Sequence, residues 1–183
     1  MDYSGKLLIA SPSLTDPNFR QTIILLIQGN DEDGVVGLIL NRISDNSIRE
    51  IWKSMFSLDC AADLLLYVGG PVFRPLMALH TQEHLNGVEV IPGVYFTNIQ
   101  QDLKRLVTDE NDHLRFFVGT AGWSEGQLLH EIIEGIWYLA EATHELIFSK
   151  DAELWQHLIE AIGQNLLSEM LHTNNFPKDP TLN

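Results

Sequence analysis

The stretch Leu114–Trp137, LRFFVGTAGWSEGQLLHEIIEGIW, contains a short apolar strand, a glycine-rich turn and an amphipathic helix in immediate succession. Leu114–Val118 reads as a buried strand, because it is a short apolar run closed by a glycine. Gly119–Gly126 reads as a turn. A helix starts at Gln127 and ends near Gly135, with apolar residues recurring at helical spacing. A second strand follows at Trp137–Ala140.

Working outward, the same punctuation recurs along the chain. Lys6–Ala10 and Thr22–Gln28 read as buried strands. Thr15-Asp16-Pro17 carries turn chemistry, since proline drives its predecessor out of the helical region. The polar turn Gly29–Gly34 joins the second strand to a third, Val35–Leu40, as a hairpin. Ser47 with Glu50 three residues later predicts a capped helix over 47–56. Leu64–Val68 and Leu76–His80 read as strands, and Val88–Ile91 and Val94–Thr97 as a hairpin around Pro92-Gly93. Asn98 is the expected cap of a helix reaching Val107. Glu145–Phe148 reads as a late strand, and Leu154–Ile162 as a helix closed by Gly163. Strands outnumber helices, and hairpins mix with helical crossovers. The expected class is α+β with a mixed sheet. Residues 1–172 form one expected domain, and the polar, proline-bearing segment 173–183 reads as a loose tail.

Composition narrows the function. The 183 residues are 45% hydrophobic and 20% charged, ordinary for a globular chain, with 25 acidic against 11 basic side chains and a net charge of −14. Duplex binding rests on clustered cations. Here only Lys104-Arg105 stand adjacent, so direct nucleic-acid binding is disfavoured, as is an anionic membrane surface. The charge favours solubility or a basic partner. Cys60 is the only cysteine, so no internal disulfide can form, which fits a reducing compartment. The N-terminal residues lack a basic signal region, and no apolar run is long enough for a membrane span. The expected location is the cytoplasm.

Several short patterns carry possible chemistry. Gly122-Trp123-Ser124-Glu125-Gly126 matches G-x-S-x-G between a strand and a helix, the setting of a nucleophile elbow. Acyl transfer at Ser124 needs a histidine base and an acid behind it. Asp151 with His157 or His172 satisfies only the chain order, and no HGGG-like oxyanion segment is present. The simpler reading is a turn whose Ser124 caps the next helix. His130 and Glu134 share a helix face and offer two metal ligands or an i,i+4 pair. His80, at a strand end, is the other candidate ligand. Gly69-Gly70 follows a strand, where backbone N–H groups can meet an anion, or where the chain turns tightly. Arg42, after Asn41, ends a strand and offers a planar fork for a carboxylate or phosphate.

Four ordered blocks then resemble one family. They are Leu8–Leu14 with Asp16-Pro17 and Phe19; Gly37–Arg42; Val68–Val72 with Leu79-His80; and Ala121–Leu128 with Glu131 and Trp137. Together they cover about residues 4 to 163 and resemble the AlgH/YqgE-like family. Two departures stand out: Leu129-His130 replaces a more acidic or amide-bearing run, and Gly119-Thr120 replaces Gly-Tyr. The resemblance implies an α+β fold in which a mixed, bifurcated sheet curls into a pseudo-barrel with flanking helices. It implies a transcriptional-regulator label but no settled catalytic residues. The leading expectation is a non-enzymatic binding or regulatory protein acting through a protein or small-molecule partner, with no cofactor or metal. Its pocket is expected at strand ends, from Asn41, Arg42, Gly69, Gly70, His80, Trp123 and Gln127. The alternatives are a serine hydrolase using Ser124 and a metal-dependent enzyme using His80 or His130.

Overall fold

A computed structural model describes residues 2–57, 64–108 and 113–172. Cys60 and the segment 173–183 lie outside the described residues. In chain order the elements are β1 (Lys6–Ala10), β2 (Ile23–Asn30), β3 (Gly34–Ile39), α1 (Ile48–Phe56), β4 (Leu66–Val68), β5 (Met77–His80), β6 (Val88–Ile91), β7 (Val94–Thr97), α2 (Gln100–Leu106), β8 (Leu114–Val118), β9 (Ala121–Trp123), α3 (Gln127–Ile133), β10 (Trp137–Glu141), α4 (His144–Ile147) and α5 (Leu154–His172). The fold is α+β, as the resemblance implies.

The strands form two five-stranded sheets. The first runs β10-β1-β2-β3-β9 and the second β4-β8-β5-β7-β6. Every strand pair in the first sheet is antiparallel. In the second, β4 and β8 are parallel and the other pairs antiparallel. The sheets fork from shared chain. β8 and β9 are one run broken at Gly119-Thr120, with β8 in one sheet and β9 in the other. The continuation of β3 leaves β2 to meet β4, through Ile39 N–H to Gly69 O (2.9 Å), Val68 N–H to Arg42 O (2.9 Å) and Ser44 N–H to Leu66 O (2.8 Å).

Period-two alternation explains the layers. Leu7, Ile23, Leu25 and Leu38 face Met77, Leu79 and Phe117 between the sheets. Their neighbours Leu8, Ile24, Leu26 and Ile39 pack on the other face with Leu128 of α3. Phe116, Leu66 and Ala78 turn outward to Trp52 of α1 and Leu103 of α2. β1 and β2 are buried on both faces, so they read as unbroken apolar runs rather than alternating ones. The first sheet is strongly curled. Trp123 and Trp137 lie on its two opposite edge strands, yet their ring centroids are 5.9 Å apart.

Ser47 caps α1, with its side chain accepting from Glu50 N–H and Glu50 reaching back, a complete capping box. Four expectations are corrected. Ile99, not Asn98, is the N-cap of α2, with no side-chain cap bond. Ala121–Trp123 is a strand inside the expected turn, because β3 offers it a ladder. Glu145–Phe148 is not a strand: His144–Ile147 forms a helical turn, nucleated by Thr143, whose hydroxyl accepts from Leu146 N–H. α5 passes through Gly163 to His172. A β-carbon at Gly163 would meet nothing within 4 Å, so that glycine costs the helix only about 1 kcal/mol.

Candidate functional site

The seven nominated residues do not share one pocket. Asn41 and Arg42 line one cleft, Trp123 lines another, Gly69-Gly70 form a backbone crossing, and His80 is buried in the second sheet.

The first cleft, of about 490 Å³, lies at the end of the β2–β3 pair. Three separate segments build it: Pro17, Arg20 and Gln21; Asn41 and Arg42; and Ala152, Glu153, Trp155 and Gln156 at the start of α5. Asn41 extends the ladder with its side chain, accepting from Ile23 N–H (3.0 Å) and donating to Gln21 O (2.8 Å). Arg42 donates to Pro17 O (2.9 Å) and Arg20 O (3.2 Å). Together they hold the 16–21 loop, in which Gln21 takes a left-handed φ of 56°. Such strain in a non-glycine residue concentrates at ligand sites. Trp155 is fixed as a wall by its bond to Ala10 O (2.8 Å). Burial and the neighbouring Arg20 charge push the Arg42 pKa below its ordinary value, with Asp16 opposing. Both arginines line this cleft in a chain of net charge −14. Sequence reading missed Arg20, Trp155 and Gln156. Arg20 beside the turn residues Pro17 and Asn18 was the one available signal.

Trp123 and Gln127 serve a different arrangement. Glu131 Oε2 accepts from both indoles, Trp123 Nε1 at 2.8 Å and Trp137 Nε1 at 2.7 Å. Its Oε1 accepts from Gln127 Nε2 at 2.9 Å. Gln127 Oε1 in turn accepts from Ser124 N–H (3.0 Å) and Ser124 Oγ (3.1 Å). The Ser124 proton therefore points to an amide oxygen, which is no general base. Asp151 and His157 do pair, at 2.7 Å, but the hydrogen bond that Ser124 makes is to Gln127. His130 pairs with Glu134 at 3.2 Å, as helical spacing requires. Among the described residues no group of three or more His, Cys, Asp or Glu could hold a metal.

Gly69-Gly70 is packed against other backbone rather than open to a ligand. Gly69 N–H is already donated to Val118 O (2.8 Å), and a β-carbon at Gly70 would lie 2.2 Å from Thr120 C. His80 is fully buried. Its Nδ1 accepts from Gln82 N–H (3.2 Å), and its ring stacks on Tyr95. Its Nε2 and both carboxylate oxygens of buried Asp102 have no hydrogen-bond partner among the described residues. Burial lowers the His80 pKa, with Asp102 raising it and His84 lowering it further. An unfolded histidine titrates near 6.5. Below that pH the unfolded chain takes up a proton the folded chain resists, so this contribution to stability is lost as pH falls through the folded pKa. NMR titration should place His80 below free histidine, and urea midpoints of His80→Asn should depend less on pH between about 7 and 5. A His80 that titrates at or above the free value overturns this.

Comparison with known proteins agrees with the fold. A family model described as AlgH-like matches residues 7–167. A UPF0301 protein of Chlorobaculum tepidum is 36% identical, covering 98% of this chain and 95% of its own. A UPF0301 protein of Chlorobium chlorochromatii is 38% identical over 87% of this chain and 86% of its own. The solution structure of the AlgH protein from Pseudomonas aeruginosa superposes with a TM-score of 0.76 at 26% identity, covering 92% of this chain and 94% of that one. No helix among the described residues is long and apolar enough to cross a membrane.

Proposed function

The chain belongs to the AlgH-like family, and within it we propose a non-enzymatic binding protein whose first ligand is a small anion held by Arg20 and Arg42. The observation that carries this reading is that both arginines line one cleft, with Asn41 and a fixed Trp155 beside them. Mutual repulsion of two guanidinium groups is relieved by a carboxylate or phosphate between them. Arg42 spends two donors on the loop carbonyls, which orients the rest of its fork. In a chain of net charge −14, whose one adjacent basic pair is Lys104-Arg105, any effect on transcription runs through the ligand or a protein partner rather than through duplex phosphates.

The test is an amide NMR titration of the full chain with inorganic phosphate and, separately, acetate. Saturable shifts are expected at 16–21, 41–42 and 152–156. Arg20→Ala is expected to weaken binding by about 10- to 100-fold, the worth of one charged hydrogen bond. Shifts that never saturate, or that persist in Arg20→Ala, overturn the reading. The Ser124 hydrolase alternative is supported only by its motif. A fluorophosphonate probe that labels Ser124 would revive it.

A further inference from the structure

A second cleft, of about 680 Å³, lies at the other end of the β2–β3 hairpin. The eight residues of β2 separate the two sites by roughly 25 Å at strand rise. Its lining includes Asp2, Asp33, Val36, Val72, Gly122 and Trp123. None of its lining residues is Lys or Arg.

Three features give this groove a chemistry. The first is exposed apolar surface: of the lining residues, Val36 is 37% exposed and Val72 43%. Exposed apolar side chains lining one groove mark interaction sites. The second is an unobstructed floor. A β-carbon at Gly122 would meet only Val35 O, at 3.9 Å, and Gly122 carries no left-handed φ. The residue is therefore not glycine for reasons of local packing, unlike Gly69 and Gly70. A bare glycine between two valines lets another chain approach the backbone. The third is charge. Asp2 and Asp33 are exposed carboxylates in the lining, which holds no Lys or Arg, in a chain of net charge −14. Lys6 acts on Asp2 from outside the lining, and Asp33 accepts from Asn30 Nδ2 (3.0 Å).

We propose that this groove docks an extended, basic segment of a partner protein, laying alternate apolar side chains against Val36 and Val72 while its cations meet Asp2 and Asp33. Alternation suits an extended strand, because successive side chains point to opposite sides. The acid rim selects against acidic partners, including a second copy of this chain, and steers basic ones. This site is independent of the anion cleft, and either can fail without the other.

The probe is a fluorescein-labelled octapeptide, (Lys-Val)4, read by fluorescence anisotropy against the full chain. (Glu-Val)4 and (Lys-Ser)4 are the controls. (Lys-Val)4 is expected to bind, more weakly as salt rises, with (Glu-Val)4 not binding and (Lys-Ser)4 at least tenfold weaker. Gly122→Val fills the floor at a strand position that accepts a β-branched residue, and is expected to weaken (Lys-Val)4 at least tenfold. Val72→Lys, at an exposed site, is expected to do the same and guards against a folding defect in the first variant. Thermal melting of both variants checks the fold. Equal binding of (Lys-Ser)4, binding unchanged in both folded variants, or no binding of (Lys-Val)4 each overturns the proposal. Competition between (Lys-Val)4 and phosphate would show one shared site and overturn the independence.

Discussion

Gly70→Ala is expected to destabilise the protein by about 4 kcal/mol, combining backbone strain of about 1–3 kcal/mol with overpacking of similar size. The reason lies in the sheet order. β4 and β5 flank β8 on opposite sides, so the chain between them must cross the β8–β9 run. It crosses at Gly119-Thr120 with backbone against backbone. A β-carbon at Gly70 would fall 2.2 Å from Thr120 C and 2.3 Å from Ala121 N. One at Gly69 would fall 2.3 Å from Gly119 O, and one at Gly119 2.4 Å from Gly70 O. The clashing atoms are main chain on both sides, so no side-chain rotation relieves them. Gly70 also holds a φ of +153°. At about 2–4 °C per kcal/mol for a chain this long, the melting temperature should fall by about 8–16 °C. Gly122→Ala is the matched control and should change stability by less than about 1 kcal/mol. A Gly70→Ala protein that melts with the wild type overturns the crossing as the reason for the glycine.

What was legible in the sequence follows from what each feature depends on. Local chemistry was readable: the Ser47/Glu50 box starts α1, and Pro92-Gly93 turns β6 into β7. Apolar runs located β1, β2, β4, β5 and β8 within one or two residues. Features decided by distant chain were not readable. β9 is three residues with a glycine in the middle, and only the ladder to Val35–Gly37 makes it a strand. His144–Ile147 has apolar content without length, and the Thr143 cap decided its form. The anion cleft shows the same division. Asn41 and Arg42 were recognisable because they end a strand. Arg20 and Trp155 join them only because the fold brings residues 20, 42 and 155 together. Gly69-Gly70 reads from sequence either as a tight backbone turn or as an anion nest, and the structure packs it against the Gly119-Thr120 backbone. The two readings predict the same residues and differ only in what lies opposite.

Glu131→Ala is expected to cost about 2–6 kcal/mol, because it strands two buried indole N–H groups worth about 1–3 kcal/mol each. Trp123 and Trp137 are 6% and 3% exposed, so both indole N–H groups lose their acceptor in a largely buried setting. The loss should be larger than one helix residue normally causes, because Glu131 ties together opposite edges of a five-stranded sheet. β9 brings Trp123, β10 brings Trp137, and Phe19 packs against both at 6.3 and 6.0 Å. The carboxylate on α3 is the shared acceptor that closes the curl. Glu131→Gln discriminates this account from a simple charge effect. Both indoles bond the same oxygen, Oε2, so an amide oxygen can keep both while Gln127 reorients. Its cost should be about 1 kcal/mol, the difference between a charged and a neutral acceptor. Urea denaturation followed by tryptophan emission reads stability and indole environment together. Glutamine as damaging as alanine would mean that the charge, not the shared acceptor, holds the edges. The same logic explains why Trp123, Gln127 and Glu131 stand where they do in the glycine-rich motif. The motif bends β9 into α3 so that one side chain reaches both edges of the sheet, and Ser124 serves it as the hydroxyl that orients Gln127.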